Sequence, residues 1–460
     1  MPETRTATVT PARRRLIFVN IILSCIASSL LSTALSTALT PIINEFGVEV
    51  AVGQWITSIY SLVMAVMIPM TAFLAKRVPT KTLYAGVIAV FLVGTVACML
   101  APNIQVLLIG RALQAMGAGA ITTVGQMVLL TIFPVEERGT IMGWYGLALG
   151  AAPVVAPTLG GMLADSAGWR SIFALVFAIM LLSFIYALIV FSNVLENTKE
   201  RFDILSFLLT AIVFGGVTYG IGVLAEGFDV VGCIALVVGA LTCVLFVRRQ
   251  LHLDKPFLDV RVFSSYRFRV ATIASILLYL VMIGPVTTIP MVVQTGLGGS
   301  ATVSGLVLLP GSLCSIVMNP IAGRLFDKIG ARGLTIVGSA LSLIPMVLLA
   351  FTTTGTPLAL IAGYNAIRCI GIALMMMPLL TWAMSGLRQS QTADGTALFN
   401  ALNQVASAIS TAVFVGLMGN AGVAGFDLST WAGAGCAVVM LIVSVFFIRY
   451  RPGTVAAGNE

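Results

Sequence analysis

Two arginines, Arg111 and Arg368, stand inside long apolar runs of this chain, whereas none of its 17 acidic residues lies in the middle of one. A guanidinium in an apolar helix needs carbonyl or side-chain partners, or a wet cavity. These two positions therefore point to helices packed round polar ground, not to plain lipid-facing spans. Bond-making chemistry has little to work with. The single histidine, His252, falls in a basic connector with no nucleophile or metal ligand at a useful spacing, and no phosphate-binding glycine loop occurs. The seven cysteines (Cys25, Cys98, Cys233, Cys243, Cys314, Cys369 and Cys436) are odd in number, scattered, and all within apolar runs. They read as small packing residues, not as disulfides or metal ligands. The expectation is a protein that is no enzyme and uses no cofactor and no metal. Buried cations among apolar helices suit a solute carrier.

The elements that must position these residues are membrane spans. The 460 residues are 59% hydrophobic and 9% charged, with mean hydropathy +1.06, far from the roughly one-quarter charged composition of soluble domains. Hydrophobic periodicity and length predict fourteen helices, over 16–40, 52–75, 83–101, 104–133, 139–163, 171–192, 204–224, 230–247, 269–293, 304–325, 333–351, 357–384, 396–418 and 430–449. At about 20 residues per span these leave room for short loops and one connector, and none for a soluble catalytic domain. Arg13, Arg14 and Arg15 precede a run too long for a signal core, so it reads as the first span and not as a cleaved leader.

Charge then sets orientation. With the N-terminus in the cytoplasm, one side receives Arg5 and Arg13 to Arg15; Lys76, Arg77 and Lys81; Arg138; Lys199 and Arg201; Arg248, Arg249, Lys255, Arg261, Arg267 and Arg269; Arg324, Lys328 and Arg332; Arg388; and Arg449 and Arg451. Of the 25 basic residues only Arg170 falls on the other side, with Arg111 and Arg368 inside helices. This bias follows the positive-inside rule and puts both termini in the cytoplasm. The net charge of +8 is thus a topology signal and no nucleic-acid footprint.

An internal repeat divides the chain. Pro69-Met70-Thr71-Ala72-Phe73-Leu74-Ala75-Lys76-Arg77-Val78-Pro79 and Pro320-Ile321-Ala322-Gly323-Arg324-Leu325-Phe326-Asp327-Lys328-Ile329-Gly330 each close a helix on a short basic loop, and Arg111 and Arg368 follow at similar offsets. Two six-helix bundles related by an axis along the membrane normal, with two helices added between them, account for fourteen. The expected units are a cytoplasmic tail (1–15), a first bundle (16–192), two added helices (193–247), a cytoplasmic connector (248–268), a second bundle (269–449) and a second tail (450–460).

Four stretches carry a family likeness: the loop Gly323 to Arg332; Leu108-Ile109-Gly110-Arg111-Ala112-Leu113-Gln114-Ala115-Met116-Gly117; Gly146 through Gly161, rich in small residues and with Pro153 and Pro157; and the polar signatures Gln54-Trp55 with Tyr60, Gly395 to Asn400 with Asn403-Gln404, and Arg201-Phe202-Asp203. Together they resemble the major facilitator superfamily, and most of all its fourteen-helix branch of drug:proton antiporters. The likeness implies alternating access by rocking of the two bundles, export of amphiphilic small molecules in exchange for protons, a cytoplasmic-membrane location and a monomer in the bilayer. It implies conformational or coupling roles for Arg111, Gln114, Gly150, Pro153, Pro157, Gly160, Gly161, Asp165, Gly323, Asp327, Gly330 and Arg332. The fifth helix and the segment near Pro310–Pro320 are expected at the rocking interface. Candidate substrate contacts are Ser32, Ser36, Gln54, Trp55, Tyr60, Gln126, Tyr364, Arg368, Asn400, Asn403 and Gln404; for each, cavity lining and helix-to-helix hydrogen bonding stay open. Met375 to Met377 are either a plastic binding wall or filler.

The chain departs from the branch in three places, the mildest being Ala156 where the fifth-helix motif usually has Gly. The first-half loop has Ala72, Lys76 and Pro79 where the signature has Gly, Asp and Gly, and helix one has Ser32 where the branch carries an Asp. Asp165, Asp327 and Asp394, all at helix ends, are the remaining carboxylates for a proton; Asp165 otherwise caps a helix or pairs with Arg170. The missing acid favours neutral or anionic amphiphiles over lipophilic cations. It also leaves open a facilitator or uptake carrier for a neutral or anionic metabolite that uses no protons.

Overall fold

Backbone that crosses lipid must satisfy its own hydrogen bonds, which a helix does within one segment. The described residues accordingly hold helices and no strand. The structure, a computed structural model, describes residues 10–194, 203–226, 229–253, 256–388, 391–419 and 421–448, and the expectations for Arg5, Lys199, Arg201, Phe202, Lys255, Arg449 and Arg451 lie outside them. The first bundle comprises α1 (Pro11–Phe46), α2 (Trp55–Arg77), α3 (Thr80–Met99), α4 (Ile104–Ile132), α5 (Val135–Ala167) and α6 (Arg170–Val190). The added pair is α7 (Ile204–Glu226) and α8 (Val230–His252). The second bundle comprises α9 (Tyr266–Met291), α10 (Ala301–Phe326), α11 (Lys328–Leu349), α12 (Leu358–Met384), α13 (Thr392–Met418) and α14 (Gly422–Phe446). Among the described residues, 13 helices are long and apolar enough to cross a membrane. The 33-residue α5 is also of spanning length.

Two boundaries differ from expectation, the first for reasons of capping. α1 begins at Pro11 because Thr10 accepts the Arg13 amide and proline suits a first helical position, so Arg13 to Arg15 are helical and not part of a tail. The Arg13 guanidinium then reaches the last turn of α6, donating from Nε to the Val190 carbonyl at 2.9 Å. α14 begins eight residues early, at Gly422, which brings Asp427 inside the last helix. Gly330 breaks the run from Ala301 to Leu349 with φ 72, a conformation that favours glycine. The matching break between α2 and α3 uses extended Val78 before Pro79 instead, which needs no glycine.

Small residues set the closest helix contacts. A Cβ at Gly94 of α3 would stand 2.7 Å from the Gly110 carbonyl of α4, and one at Gly338 of α11 would stand 2.6 Å from the Gly371 carbonyl of α12. The bundles meet along α2–α13 and α5–α10, with α1 against α9 between them. α10, the helix that carries Pro310 and Pro320, meets α5 at Ala301, Thr302 and Gly305. By chain order, however, α10 is the second helix of its bundle and the counterpart of α2; the repeat counterpart of α5 is α13. The pair α7–α8 lies outside both bundles: α7 packs on α13 and α2, whereas α8 packs on α7 and on a short turn (Val260–Ser264) of the connector. That connector is tied down, with the Gln250 side-chain oxygen accepting the amides of Phe257 (2.7 Å) and Leu258 (3.2 Å).

Candidate functional site

Five helices, α1, α2, α4, α9 and α13, each turn a stripe toward one cavity of about 450 Å3 between the bundles, and Tyr145 of α5 joins them. The stripes have helical spacing. They are Ser29, Ser32, Thr33 and Ser36 on α1; Thr57, Tyr60, Ser61, Met64 and Ile68 on α2; Ala118, Thr122, Thr123 and Gln126 on α4; Tyr279, Met282, Ile283, Val286 and Thr287 on α9; and Asn400, Gln404, Ser407 and Thr411 on α13, with Ser28 completing α1. Among the described residues, no Asp, Glu, Lys, Arg or His lines it. Its polar character comes from hydroxyls and amides, many already bonded to their own helix. Ser32 donates to the Ser29 carbonyl at 2.7 Å and Ser36 to the Thr33 carbonyl at 2.8 Å.

Both buried arginines stand behind this wall, not in it. Arg111 donates from Nε to the Ile56 carbonyl of α2 (2.9 Å) and from Nη1 to Gln114 (3.0 Å), which donates on to Thr95 of α3 (3.0 Å). Its guanidinium lies over the Tyr60 ring, 4.2 Å from the centroid, and its Nη2 has no hydrogen-bond partner. Tyr60 is itself a cavity residue and donates to the Ser28 carbonyl of α1 at 3.3 Å. Arg111 thus joins α2, α3 and α4 and supports the ring that faces the cavity. Arg368 does the same work in the second bundle. Pro285, lacking an N–H, leaves the Val281 carbonyl without its helical donor; Arg368 Nη1 donates to that carbonyl at 2.7 Å, while Nε and Nη2 donate to Asn365 at 3.2 and 2.7 Å.

One end of the cavity is sealed by contacts between the bundles. Asp165, near the end of α5, accepts the amides of Ala301 (3.2 Å) and Thr302 (2.7 Å) at the start of α10. Those are two of the amides a helix leaves unsatisfied at its N-terminus, where a carboxylate is favoured. Close approach makes this possible: a Cβ at Gly161 would stand 2.2 Å from the Ala301 carbonyl, and one at Gly305 2.6 Å from that of Pro157. Thr158 donates to the Gly305 carbonyl at 3.1 Å. Pro41 leaves the Thr37 carbonyl free, and Gln294 after α9 donates to it at 2.9 Å. Ser58 donates to the Ala408 carbonyl (3.2 Å), and Ser61 meets Ser407 (3.2 Å). From this closed end the cavity runs toward Ile68, Gln126 and Asn400, and Asn400 is exposed.

Of the eleven substrate contacts expected from sequence, Ser32, Ser36, Tyr60, Gln126, Asn400 and Gln404 line the cavity. Gln54 is buried at the start of α2, Trp55 packs its ring 5.7 Å from that of Tyr219 of α7, Tyr364 is half-buried at the edge of a core cluster that spans both bundles, and Asn403 accepts a hydrogen bond from Ser275 (2.8 Å). Arg368 is fully buried. Among the conformational residues, Pro157, Gly160, Gly161 and Asp165 gather at the closed end, with a Cβ at Gly160 falling 2.5 Å from the Ala34 carbonyl of α1. Arg170 pairs with Glu45 of α1, so Asp165 serves as a cap across the interface and not as that arginine's partner. Arg332 donates to the Val445 carbonyl of α14 at 3.0 Å, and a Cβ at Gly323 would meet nothing. The side chains of Asp327 and of residues 146–154, which include Gly150 and Pro153, lie outside the description. Met375 is core and Met377 is exposed, so the cavity methionines are Met64 and Met282 instead. Sequence reading overlooked Ser29, Thr33, Ser61, Thr122, Tyr279, Thr287 and Thr411. Their signal was the i, i+3, i+4, i+7 spacing of hydroxyls within apolar runs.

Comparison with known proteins places this arrangement. Residues 17–411 match the profile of the Major Facilitator Superfamily. The chain is 37% identical to an uncharacterized MFS-type transporter, YcnB, of Bacillus subtilis, over 82% of this chain and 81% of that one. It is 33% identical to the lincomycin resistance protein LmrB of the same organism, over 82% and 80%, and 28% identical to the multidrug resistance protein Stp of Mycobacterium tuberculosis, over 78% and 67%. Among solved structures, an inward-facing, unoccupied bacterial homologue of the human lysosomal transporter Spinster superposes with TM-score 0.70 at 15% identity, covering 96% of this chain and 100% of that one. A POT family transporter in complex with a thioalcohol-conjugated peptide superposes with TM-score 0.73 at 14% identity, covering 94% and 96%. A polytopic membrane transporter and not an enzyme, this chain belongs to the major facilitator superfamily.

Proposed function

We propose that the chain is a secondary active exporter of neutral amphiphilic small molecules, working by alternating access in the cytoplasmic membrane and exchanging substrate for protons. The observation that carries this reading is a polar cavity between two bundles, its described lining free of charged side chains, sealed at one end by bonds that a rocking motion would break. Hydroxyls and amides can hydrogen-bond neutral polar groups, while Met64, Ile68, Met282 and Val286 take apolar parts. An ion of either sign would meet no counter-charge there and would lose hydration. Relatives named for lincomycin and multidrug resistance support export. In this reading the chain has fourteen spans with both termini cytoplasmic, acts as a monomer, and has the open end of its cavity toward the cytoplasm. Ser32, Ser36, Tyr60, Gln126, Asn400 and Gln404 contact substrate; Arg111 and Arg368 hold the cavity wall; Pro157, Gly160, Gly161 and Asp165 form the outer gate.

Substrate released outward follows separation of α5 from α10, which strips Asp165 of its amide donors and leaves its carboxylate to water and protons. Asp427, whose Oδ1 is buried without a hydrogen bond inside α14, is a further carboxylate for that step. The test is transport in proteoliposomes with the voltage clamped, across a panel of cationic, neutral and anionic amphiphiles. Accumulation of neutral compounds driven by a pH gradient supports the reading; robust transport of monovalent cationic dyes alone would sink the substrate assignment. The absence of any carboxylate from the described cavity lining favours one alternative, a facilitator uncoupled from protons. Its signature is flux that equilibrates at a rate indifferent to the gradient.

A further inference from the structure

The added helices carry a second groove, on the outside of the molecule. It lies between α7 and α8 and is lined by Leu205, Leu209, Leu245, Arg248, Arg249, His252 and Leu253. The residues Leu245, Arg248, Arg249 and His252 follow one another at i, i+3, i+4 and i+7 and so share a face of α8, while Leu205 and Leu209 form the facing stripe on α7. Apolar side chains therefore fill one part of the groove and cationic ones its end. Arg249 is committed: it donates to Asp203 at 3.0 Å and to Ser206 at 3.2 Å, and this ion pair ties α8 to the start of α7. Arg248 is not committed. Among the described residues its guanidinium has no hydrogen-bond or ion-pair partner, and it is exposed. His252 donates from Nδ1 to the Arg248 carbonyl (2.7 Å), so Nε2 faces the same place and donates there when the ring carries both protons.

The surroundings name the occupant. Among the described residues α8 packs chiefly on α7, with a smaller contact on the connector turn, and its outer side chains are bare: Val237, Leu241 and Leu245 are 57%, 62% and 58% exposed. Such a surface is covered by lipid in a membrane. The basic end of the groove coincides with the ends of α7 and α8 that adjoin the connector, at the level where headgroups lie. A basic pocket between spans at that depth, continuous with a leucine-lined trough, is complementary to a phosphate headgroup with its acyl chain. We propose that the α7–α8 groove is a binding site for one anionic phospholipid of the surrounding bilayer, its phosphate on Arg248 and His252 and an acyl chain along Leu205, Leu209 and Leu245.

The test is native mass spectrometry of the full-length protein, extracted in mild detergent and equilibrated with equal amounts of phosphatidylglycerol and phosphatidylethanolamine. Wild type is expected to retain phosphatidylglycerol preferentially, by about fivefold or more for each cation engaged. The double variant Arg248→Ala, His252→Ala should fall to near-equal retention. Arg248→Lys, which keeps the charge, should hold a preference, and Arg77→Ala, a basic change at another helix end, should be indistinguishable from wild type. Melting curves of the variants separate loss of the site from loss of the fold. Equal retention of the two lipids by wild type, an undiminished preference in a folded double variant, or displacement of the lipid by millimolar inorganic phosphate would each overturn the proposal.

Discussion

Replacing Gly161 by alanine tests the gate directly, because the structure leaves no room for the added methyl. Its Cβ would stand 2.2 Å from the Ala301 oxygen, 2.7 Å from the Ala301 carbonyl carbon and 3.0 Å from the Thr302 Cα. All three are backbone atoms of α10, so no side chain can rotate away. Restoring van der Waals contact requires α5 and α10 to part by about 1 Å. That parting stretches the bonds from Ala301 and Thr302 to Asp165 and from Thr158 to Gly305. Overpacking costs about 1–3 kcal/mol, and weakening amide bonds to a carboxylate adds to it, for a total of roughly 2–3 kcal/mol. Only the state with this end closed bears that cost, so the equilibrium shifts toward the state with it open by roughly 30- to 150-fold. Spin-label distances between the ends of α5 and α10 in proteoliposomes should move to a longer population, with transport falling in proportion. Gly363→Ala, where a Cβ meets nothing within 4 Å, is the control and should leave both unchanged. A distance distribution like that of wild type in Gly161→Ala, with wild-type flux, would refute both the closed gate and the role of its small residues.

Three further outcomes follow from the same geometry. Arg368→Lys cannot reach Asn365 and the Val281 carbonyl together, so detergent-solubilised protein should lose about 2–3 kcal/mol of stability; because the arginine stands behind the cavity, transport should slow with KM little changed, and a rise in KM alone would show direct substrate contact. Ser32→Asp places a carboxylate in a cavity whose described lining is uncharged and should raise efflux of monovalent cationic dyes about tenfold or more; a dye rate equal to wild type would show that Ser32 does not face substrate. Asp203 feels burial, which pushes its pKa up, but the Ser206 hydroxyl and amide and the Arg249 guanidinium outweigh it and hold it below the ordinary carboxylate value. Its contribution is therefore complete above about pH 4 and is lost as pH falls through the depressed value. Asp203→Asn should match wild type in melting at strongly acid pH and fall below it at neutral pH, and an equal deficit at every pH would remove the ion pair as the cause.

Much of this molecule is legible along the chain. Apolar runs of about 20 residues leave the backbone no choice but helix in lipid, so the helices and their order followed from composition and periodicity. The motifs round Arg111 and Gly330 marked the arginine hub and the break between α10 and α11 by local chemistry alone. Ser32 and Ser36 on α1 and the amides Asn400 and Gln404 on α13 foreshadowed a cavity wall. Which polar residues face the cavity was not legible, because all the bundle helices are apolar on several sides and a serine toward a neighbour looks the same in sequence as one toward water. Asn400 and Asn403 differ by less than one turn, yet one lines the cavity and the other accepts a hydrogen bond from Ser275. Arg368 could not be told from a substrate ligand until Val281, 87 positions away, was seen to offer the carbonyl that Pro285 frees. Asp165 likewise has no sequence neighbour that explains it, since its partners are the first amides of α10. The sequence determined the helices and the absence of mid-span acids. Only the tertiary structure decided where the charges go, because a buried polar group is satisfied by whichever helix lies against it, and that is a property of packing between segments far apart in the chain.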